Sequence, residues 1–254
     1  MTSLFTTFIF QPILNLLIWL YNVLPGNDMG LAIIALTIIV KVALYPFTAA
    51  QIKQQRALQD VQPKIDEIRS RRKDDKEGQA KELMELYKKE KVNPASSCLP
   101  LLIQLPIFIG LFHALSDGLA SKSLNLLYPF VANPGTINNF MFGVVDLSKP
   151  NVVLAVLSGA AQFWQSWQMF RKPSPATPPP AEVQGSSGAK DEGMAAMMNK
   201  QMMYVMPVVT VFIGLSFPGG LALYWLVMTL LMVAQQAIFL KKPVPPKPSP
   251  MLTS

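Results

Sequence analysis

The sequence predicts an all-α polytopic membrane protein with five transmembrane helices, its N-terminus outside and its C-terminus inside. Three observations predict it. Charged residues make up 15% of the 254, against about 25% in an average soluble domain. That charge is concentrated, with 12 of the 22 Lys and Arg and 9 of the 15 Asp and Glu lying between Lys53 and Lys91. Elsewhere the chain is built of apolar runs near 20 residues, the length a helix needs to cross a ~30 Å hydrocarbon core. Mean hydropathy is +0.32. The composition excludes disordered and collagen-like classes, and the single Cys98 excludes an intramolecular disulfide framework.

Residues 1–29 read as an external amphipathic helix and turn. In 4–24, Thr7, Gln11, Asn15 and Asn22 are spaced 4, 4 and 7 apart and share one helical face. A narrow polar stripe suits a helix lying at the membrane surface, and Pro12 interrupts the run. The charge-free start lacks the basic n-region of a signal peptide. The first span is 30–49, the second 98–117 and the third 151–170. The fourth, 202–217, is short and carries Pro207 in its first turns. Phe217-Pro218-Gly219-Gly220 makes a tight turn into the fifth, 219–239, so these two form an antiparallel hairpin.

The connections set the orientation. Segments 50–97, 171–201 and 240–254 hold nineteen Lys and Arg, and the opposite set, including the loop 118–150, holds two. The positive-inside rule makes the first set cytoplasmic. Residues 173–190 are Pro-, Ser- and Gly-rich and read as a flexible linker within 171–201. The 240–254 tail, rich in Pro and Lys, should be extended. Six methionines between 194 and 206 suit either packing at the entrance of a span or adaptable apolar contacts.

Within 50–97 the spacing predicts a cytoplasmic helical hairpin. Leu58, Val61, Ile65 and Ile68 make an a/d-type seam, and Leu83, Leu86 and Tyr87 supply its counterpart. A turn is expected over 73–78, and Pro63 suggests a kink or restart. The block is net basic. It is either a solvated hairpin or a docking surface for anionic lipid or RNA-containing machinery. The candidate contacts for ribosome or targeting components are Lys53, Arg56, Lys64, Arg69, Arg71, Arg72 and Lys73.

Chemistry for catalysis is missing. One histidine, His113, and one cysteine cannot build a His/Cys metal cage. No nucleophile elbow or phosphate-binding glycine loop occurs. Every Asp and Glu falls in a loop or at a span edge, so carboxylates for ion coupling are missing from the spans. The expectation is no catalytic residue, no metal and no cofactor.

Lys41 is the exception among the apolar runs. It lies 11 residues past Gly30 and 10 before Gln51, ~15 Å from either end of a straight helix. A cation at that depth costs roughly 2.5–3.5 kcal/mol on insertion scales. A water-filled cavity removes most of that cost, and Thr37, one turn earlier, shares its face. Gln104, Gln162, Gln165, Gln235 and Gln236 offer further polar lining or interhelical hydrogen bonds.

These residues resemble the YidC family of membrane protein insertases. The likeness runs through Ile39-Val40-Lys41-Val42-Ala43-Leu44-Tyr45-Pro46, Gln62-Pro63-Lys64-Ile65 and Lys91-Val92-Asn93-Pro94. It continues through Cys98-Leu99-Pro100 with Ile103-Gln104-Leu105-Pro106-Ile107-Phe108, Gln201-Met202-Met203 with Met206-Pro207, and Leu223-Tyr224-Trp225 with Gln235-Gln236. It covers about 30–240 in consistent order and is to the short form, without the large external domain of some members. The resemblance implies five spans around a hydrophilic groove open to the cytoplasm and the lipid. It places Lys41 where the family has a groove arginine, and Gln165 and Trp225 among the groove residues. Lysine keeps the charge but loses the bidentate fork.

The function expected is insertion of nascent membrane proteins into the lipid bilayer of the bacterial plasma membrane, without covalent chemistry. The groove would be formed by Lys41, Thr37, Gln104, Gln165 and Trp225. Expected partners are nascent chains, the bilayer, the ribosome, signal recognition machinery and the Sec translocon, but not DNA. The alternative is a small transporter or channel using the same cavity.

Overall fold

The computed structural model describes residues 3–93, 99–119, 124–170 and 189–241. The linker expected over 173–190 and the tail over 240–254 lie almost wholly outside these residues, as does the 94–98 junction.

The chain starts as a helical rod. α1 (Ser3–Phe5) leads through a π-type turn, Thr6–Phe10, into α2 (Gln11–Val23). Pro12 falls in the first turn of α2 and does not interrupt the rod. The π turn directly before it accommodates the ring. One face of the rod buries Phe10, Leu14, Leu17, Ile18 and Tyr21. These residues pack with the outer parts of two later helices through Ile33, Leu36, Leu111, Ala114 and Leu115.

The polar stripe has a different partner from the one the sequence suggested. Gln11 Nε2 donates to the Leu126 carbonyl at 3.0 Å. Asn15 Nδ2 donates to the same carbonyl at 3.2 Å, and its Oδ1 accepts from Tyr128 N at 2.5 Å. Asn22 Nδ2 donates to the Ala132 carbonyl at 2.7 Å. The stripe thus satisfies the backbone of the 124–132 loop, groups that otherwise go unpaired when a loop is packed onto a helix. By length and composition Thr6–Val23 is also apolar enough to cross a membrane. A stripe of Asn and Gln therefore does not by itself identify a surface helix.

α3 (Met29–Ala43) is capped by Asp28, whose Oδ1 accepts from Leu31 N at 3.0 Å. The straight helix expected over 30–49 is corrected here. The rod ends at Leu44, and α4 (Tyr45–Arg71) leaves at a bend of 67°. Pro46 explains the break, because a proline ring clashes with the preceding turn and removes its hydrogen bond, yet fits the first turn of a new helix. α4 then runs unbroken through Pro63 and pairs with α5 (Lys76–Glu90). Val61, Ile65 and Val92 form a buried cluster with Leu58, Leu83, Leu86 and Tyr87 packed against it; Ile68 is buried on the same face. Apart from Val92 these are the residues that the spacing predicts. The turn is tighter than expected, since Asp75 already caps α5 through Gly78 N at 2.8 Å.

α6 (Leu99–Leu119) leads to the loop that covers α2. That loop contains a two-stranded antiparallel ribbon, β1 (Phe140–Met141) with β2 (Val145–Asp146). The Asp146 carboxylate accepts from Ser148 Oγ at 2.5 Å and pairs with Lys149 at 3.0 Å. The Ser148 hydroxyl first, and Lys149 after it, hold its pKa below the usual carboxylate range. α7 (Val152–Phe170), α8 (Ala189–Ser216) and α9 (Gly219–Lys241) then pack together. The linker expected through 201 is corrected, because α8 already begins at Ala189. That stretch is rich in Ala, Met, Lys and Gln, which favour helix.

Small residues let α7 approach α8. A Cβ at Gly159 would sit 2.4 Å from Val211 Cγ2, and one at Gly214 would sit 2.9 Å from Ala155 Cβ. Ser158 Oγ ties α7 to α9 through the Ala222 carbonyl at 3.0 Å. Among the described residues, Thr6–Val23 and Gly219–Phe239 are long and apolar enough to cross a membrane, and the bent α3–α4 pair makes a third. Gln104–Ser116 and Met203–Ser216 are shorter apolar helices.

Asn15→Ala should destabilise the protein by about 1–3 kcal/mol, the usual cost of leaving buried partners unpaired. Hydrogen exchange at the Tyr128 amide should quicken with it. An unchanged exchange rate would mean that Asn15 does not hold the loop.

Candidate functional site

The site is built at the bend after α3. Ile33, Thr37 and Lys41 recur every four residues and face inward, exposed by 0%, 0% and 6%. Ile38, Ile39 and Val42 on the other face are exposed. Thr37 Oγ1 donates to the Ile33 carbonyl at 2.6 Å, so its polarity is satisfied within its own helix. Lys41 Nζ lies 3.5 Å from Met232 Sδ on α9. A thioether is only a weak acceptor. Among the described residues no carboxylate lies within ion-pair distance of Lys41.

The bend changes the electrostatics inferred from a straight helix. Lys41 stands in the last turn of α3. A helix C-terminus carries partial negative charge, and a cation there gains typically 0.3–1 kcal/mol, more when partly buried. This contribution was hidden in the sequence, which shows an apolar run continuing past Lys41.

From Lys41 a polar seam follows α4 and α9. Thr48 Oγ1 accepts from Gln235 Nε2 at 2.9 Å. Tyr45 and Phe239 bring their rings to 6.4 Å. Arg56 Nη1 donates to the Phe239 carbonyl at 2.6 Å, capping the last turn of α9. Gln235 Oε1, Gln236 Oε1 and Gln54 Oε1 are buried and accept no hydrogen bond from the protein. Buried acceptors in that state mark places for water or a ligand donor.

The expected groove residues do not share one lining. Gln104 Nε2 donates to Tyr224 Oη at 2.5 Å, joining α6 to α9. Trp225 meets Phe108 edge-on at 5.7 Å. It also lines a cavity of about 10 Å³, the size of one water, with Ser158 and Thr210. Gln162 and Gln165 are half-buried on α7. A second cavity, of about 430 Å³, opens beside Tyr21, Asn27 and Asn138. Lys41 lines neither. Sequence reasoning named Lys41 and Gln235, but missed Met232, Tyr224 and the capping role of Arg56. The motif Leu223-Tyr224-Trp225 was a signal for Tyr224. Nothing local marks the other two.

The family described as 60Kd inner membrane protein matches residues 19–245, nearly the whole described chain. The chain belongs to that family. Relatives called "Membrane protein insertase YidC" resemble it over most of its length. The protein from Mannheimia succiniciproducens is 37% identical over 227 residues, covering 87% of this chain and 35% of that protein. The one from Vibrio atlanticus is 36% identical, covering 91% and 36%. The one from Aeromonas salmonicida is 34% identical, covering 92% and 36%. The chain spans about a third of the length of these curated relatives. Family membership thus covers the α3–α9 seam that holds Lys41.

The α6–α9 tie predicts a coupled pair. Gln104→Leu and Tyr224→Phe should each cost about 1 kcal/mol of thermal stability, and the double substitution should cost less than their sum. Strict additivity in a double-mutant cycle would mean that the two groups do not bond.

Proposed function

We propose that this member of the 60Kd inner membrane protein family is an insertase of the bacterial plasma membrane. It would be a scaffold without catalytic residues that lowers the barrier for moving a short polar segment of a nascent membrane protein across the bilayer. The observation that carries this reading is Lys41, a buried cation without a carboxylate partner at the mouth of a polar seam. A permanent structural lysine would be paired, whereas a lysine that receives substrate needs its anion supplied from outside. The names of the relatives agree with it.

In this reading the crossings are 30–49 with its bend, 98–117, 151–170, 202–217 and 219–239, running N-out and C-in. The nineteen-to-two distribution of basic residues supports that orientation. Residues 1–29 lie across the outer ends of the bundle. α2 and its lead-in pack on α6 through Gly110, Leu111, His113, Ala114 and Leu115.

The groove would take Lys41, Thr37, Gln104, Gln165 and Trp225 as its lining once the closed Gln104–Tyr224 contact yields to substrate. Two charges ~8 Å apart at an effective dielectric near 20 attract by roughly 2 kcal/mol. That is about thirtyfold in rate if fully expressed at the barrier, and water reduces it to a few-fold. Lys41→Arg should retain insertion in liposomes, and Lys41→Ala should slow substrates with acidic translocated tails most. Equal loss for neutral-tailed substrates would remove charge attraction from the mechanism.

The hairpin would receive ribosome, signal recognition or Sec components, and its ion pairs indicate which cations are available. Lys64 pairs with Glu90 at 2.7 Å, Arg71 and Arg72 pair with Glu82, and Arg69 reaches Asp66 at 4.0 Å. Arg56 is engaged on α9. Among the seven candidates, Lys53 and Lys73 have no carboxylate within ion-pair distance. Reversing the charge of these two should weaken ribosome co-sedimentation without altering stability. Reversing Arg71 and Arg72 places like charges beside Glu82 and should lower the stability of the hairpin modestly. Loss of co-sedimentation in neither variant would refute a docking role for these cations.

A further inference from the structure

The ribbon between α6 and α7 ends in an unusual turn. Val144 N donates to the Met141 carbonyl at 3.1 Å, and both central residues have positive φ, 52° at Phe142 and 69° at Gly143. Such a turn favours Asn-Gly, because a bulky side chain is disfavoured in the left-handed region. A phenylalanine there brings conformational strain, and the residue is 66% exposed rather than packed into the core. Val144 beside it is 80% exposed, and Phe140 is 41% exposed. Strain retained at an exposed apolar residue points to a role for that side chain outside the fold.

The turn is held firmly in one place. Asp28 is only 8% exposed, and its Oδ2 accepts from Phe142 N at 2.5 Å while Oδ1 caps α3. The Met141 side chain lies across Gly30 so closely that a Cβ at Gly30 would fall 2.2 Å from Met141 Cγ. One buried carboxylate thus ties the turn to the residue before α3. The tip therefore lies beside the first turn of α3, the end at which the proposed first crossing, 30–49, begins.

We propose that Phe142 and Val144 form a lipid-penetrating tip that enters the outer leaflet beside α3 and fixes the depth of the external cap. The occupant of this exposed apolar surface is phospholipid. The tip lies beside the first turn of α3, whose exposed apolar residues Ile38, Ile39 and Val42 come farther along the same helix. The residues at the tip itself, 140–145, carry no charge, and the nearest charges, Asp146 and Lys149, pair with each other at 3.0 Å at the base of the ribbon. Aromatic and branched apolar side chains at this level are favoured by the interface. Asp28 would therefore both cap α3 and aim the tip. The proposal rests on the reading of 118–150 as the external loop.

The test uses the full chain in phospholipid vesicles, with Cys98→Ser as background and a nitroxide placed at Val144→Cys. Collision with oxygen, which concentrates in lipid, should dominate over collision with a water-soluble nickel chelate. A label at Thr136→Cys, exposed in the same loop, should show the reverse. Phe142→Asn should keep or raise thermal stability in detergent, since asparagine tolerates the left-handed region. It should also lower oxygen collisions at position 144 severalfold. Nickel-dominated relaxation at 144 would overturn the proposal, as would shielding from both relaxants that grows with protein density, which would indicate a second copy. A separate Lys149→Cys variant in cells should react with a membrane-impermeant maleimide. Failure of that arm alone would overturn the external placement, and the collision data would still report whether the tip meets lipid.

Discussion

A lysine ammonium enclosed by apolar helices, with no carboxylate among the described residues to meet it, is the constraint on which this molecule is built. Hydrocarbon offers no hydrogen bonds, so each polar group in the bundle must find a partner or keep a route to water. Lys41 is placed where three conditions soften that cost. It stands in the last turn of α3, it touches a polarisable sulfur, and it opens a seam of carboxamides and hydroxyls leading along α4 and α9. The bend at Leu44 ends the helix and brings α4 beside α9, while the sulfur contact comes from the packing of α3 on α9.

The same accounting of polar groups shapes the end of the bundle where α2 meets the loop after α6. The loop after α6 could not lie on α2 unless its carbonyls and amides were met, and Gln11, Asn15 and Asn22 meet them. Asp28 serves two segments, the first turn of α3 and the tip of the ribbon. The outer cap is therefore joined by side-chain-to-backbone bonds rather than by a continuous sheet, and its apolar residues remain divided between core and surroundings.

The charged α4–α5 hairpin largely neutralises itself. Glu82 engages two arginines, and Lys64 reaches across to Glu90. These surface pairs each contribute little to stability. Their effect is to fix which cations remain outward, so that a net basic block offers a narrower set of contacts than its composition suggests.

Periodicity and charge asymmetry alone determined the all-α membrane class, the positions of most helices, the hairpin seam and Lys41 as the lone cation within an apolar run. Those properties follow from local spacing, because a helical face and a loop charge are written within a few turns of chain. The tertiary structure decided the bend that puts Lys41 at a helix end, the helical start of α8 and the partners of Gln104 and Arg56. It also decided that the stripe on α2 binds a loop. Each of these depends on groups far apart in sequence, such as Asn15 with Tyr128 or Arg56 with Phe239. A polar residue carries the need for a partner in its own chemistry, but only the packing of distant segments decides which partner satisfies it.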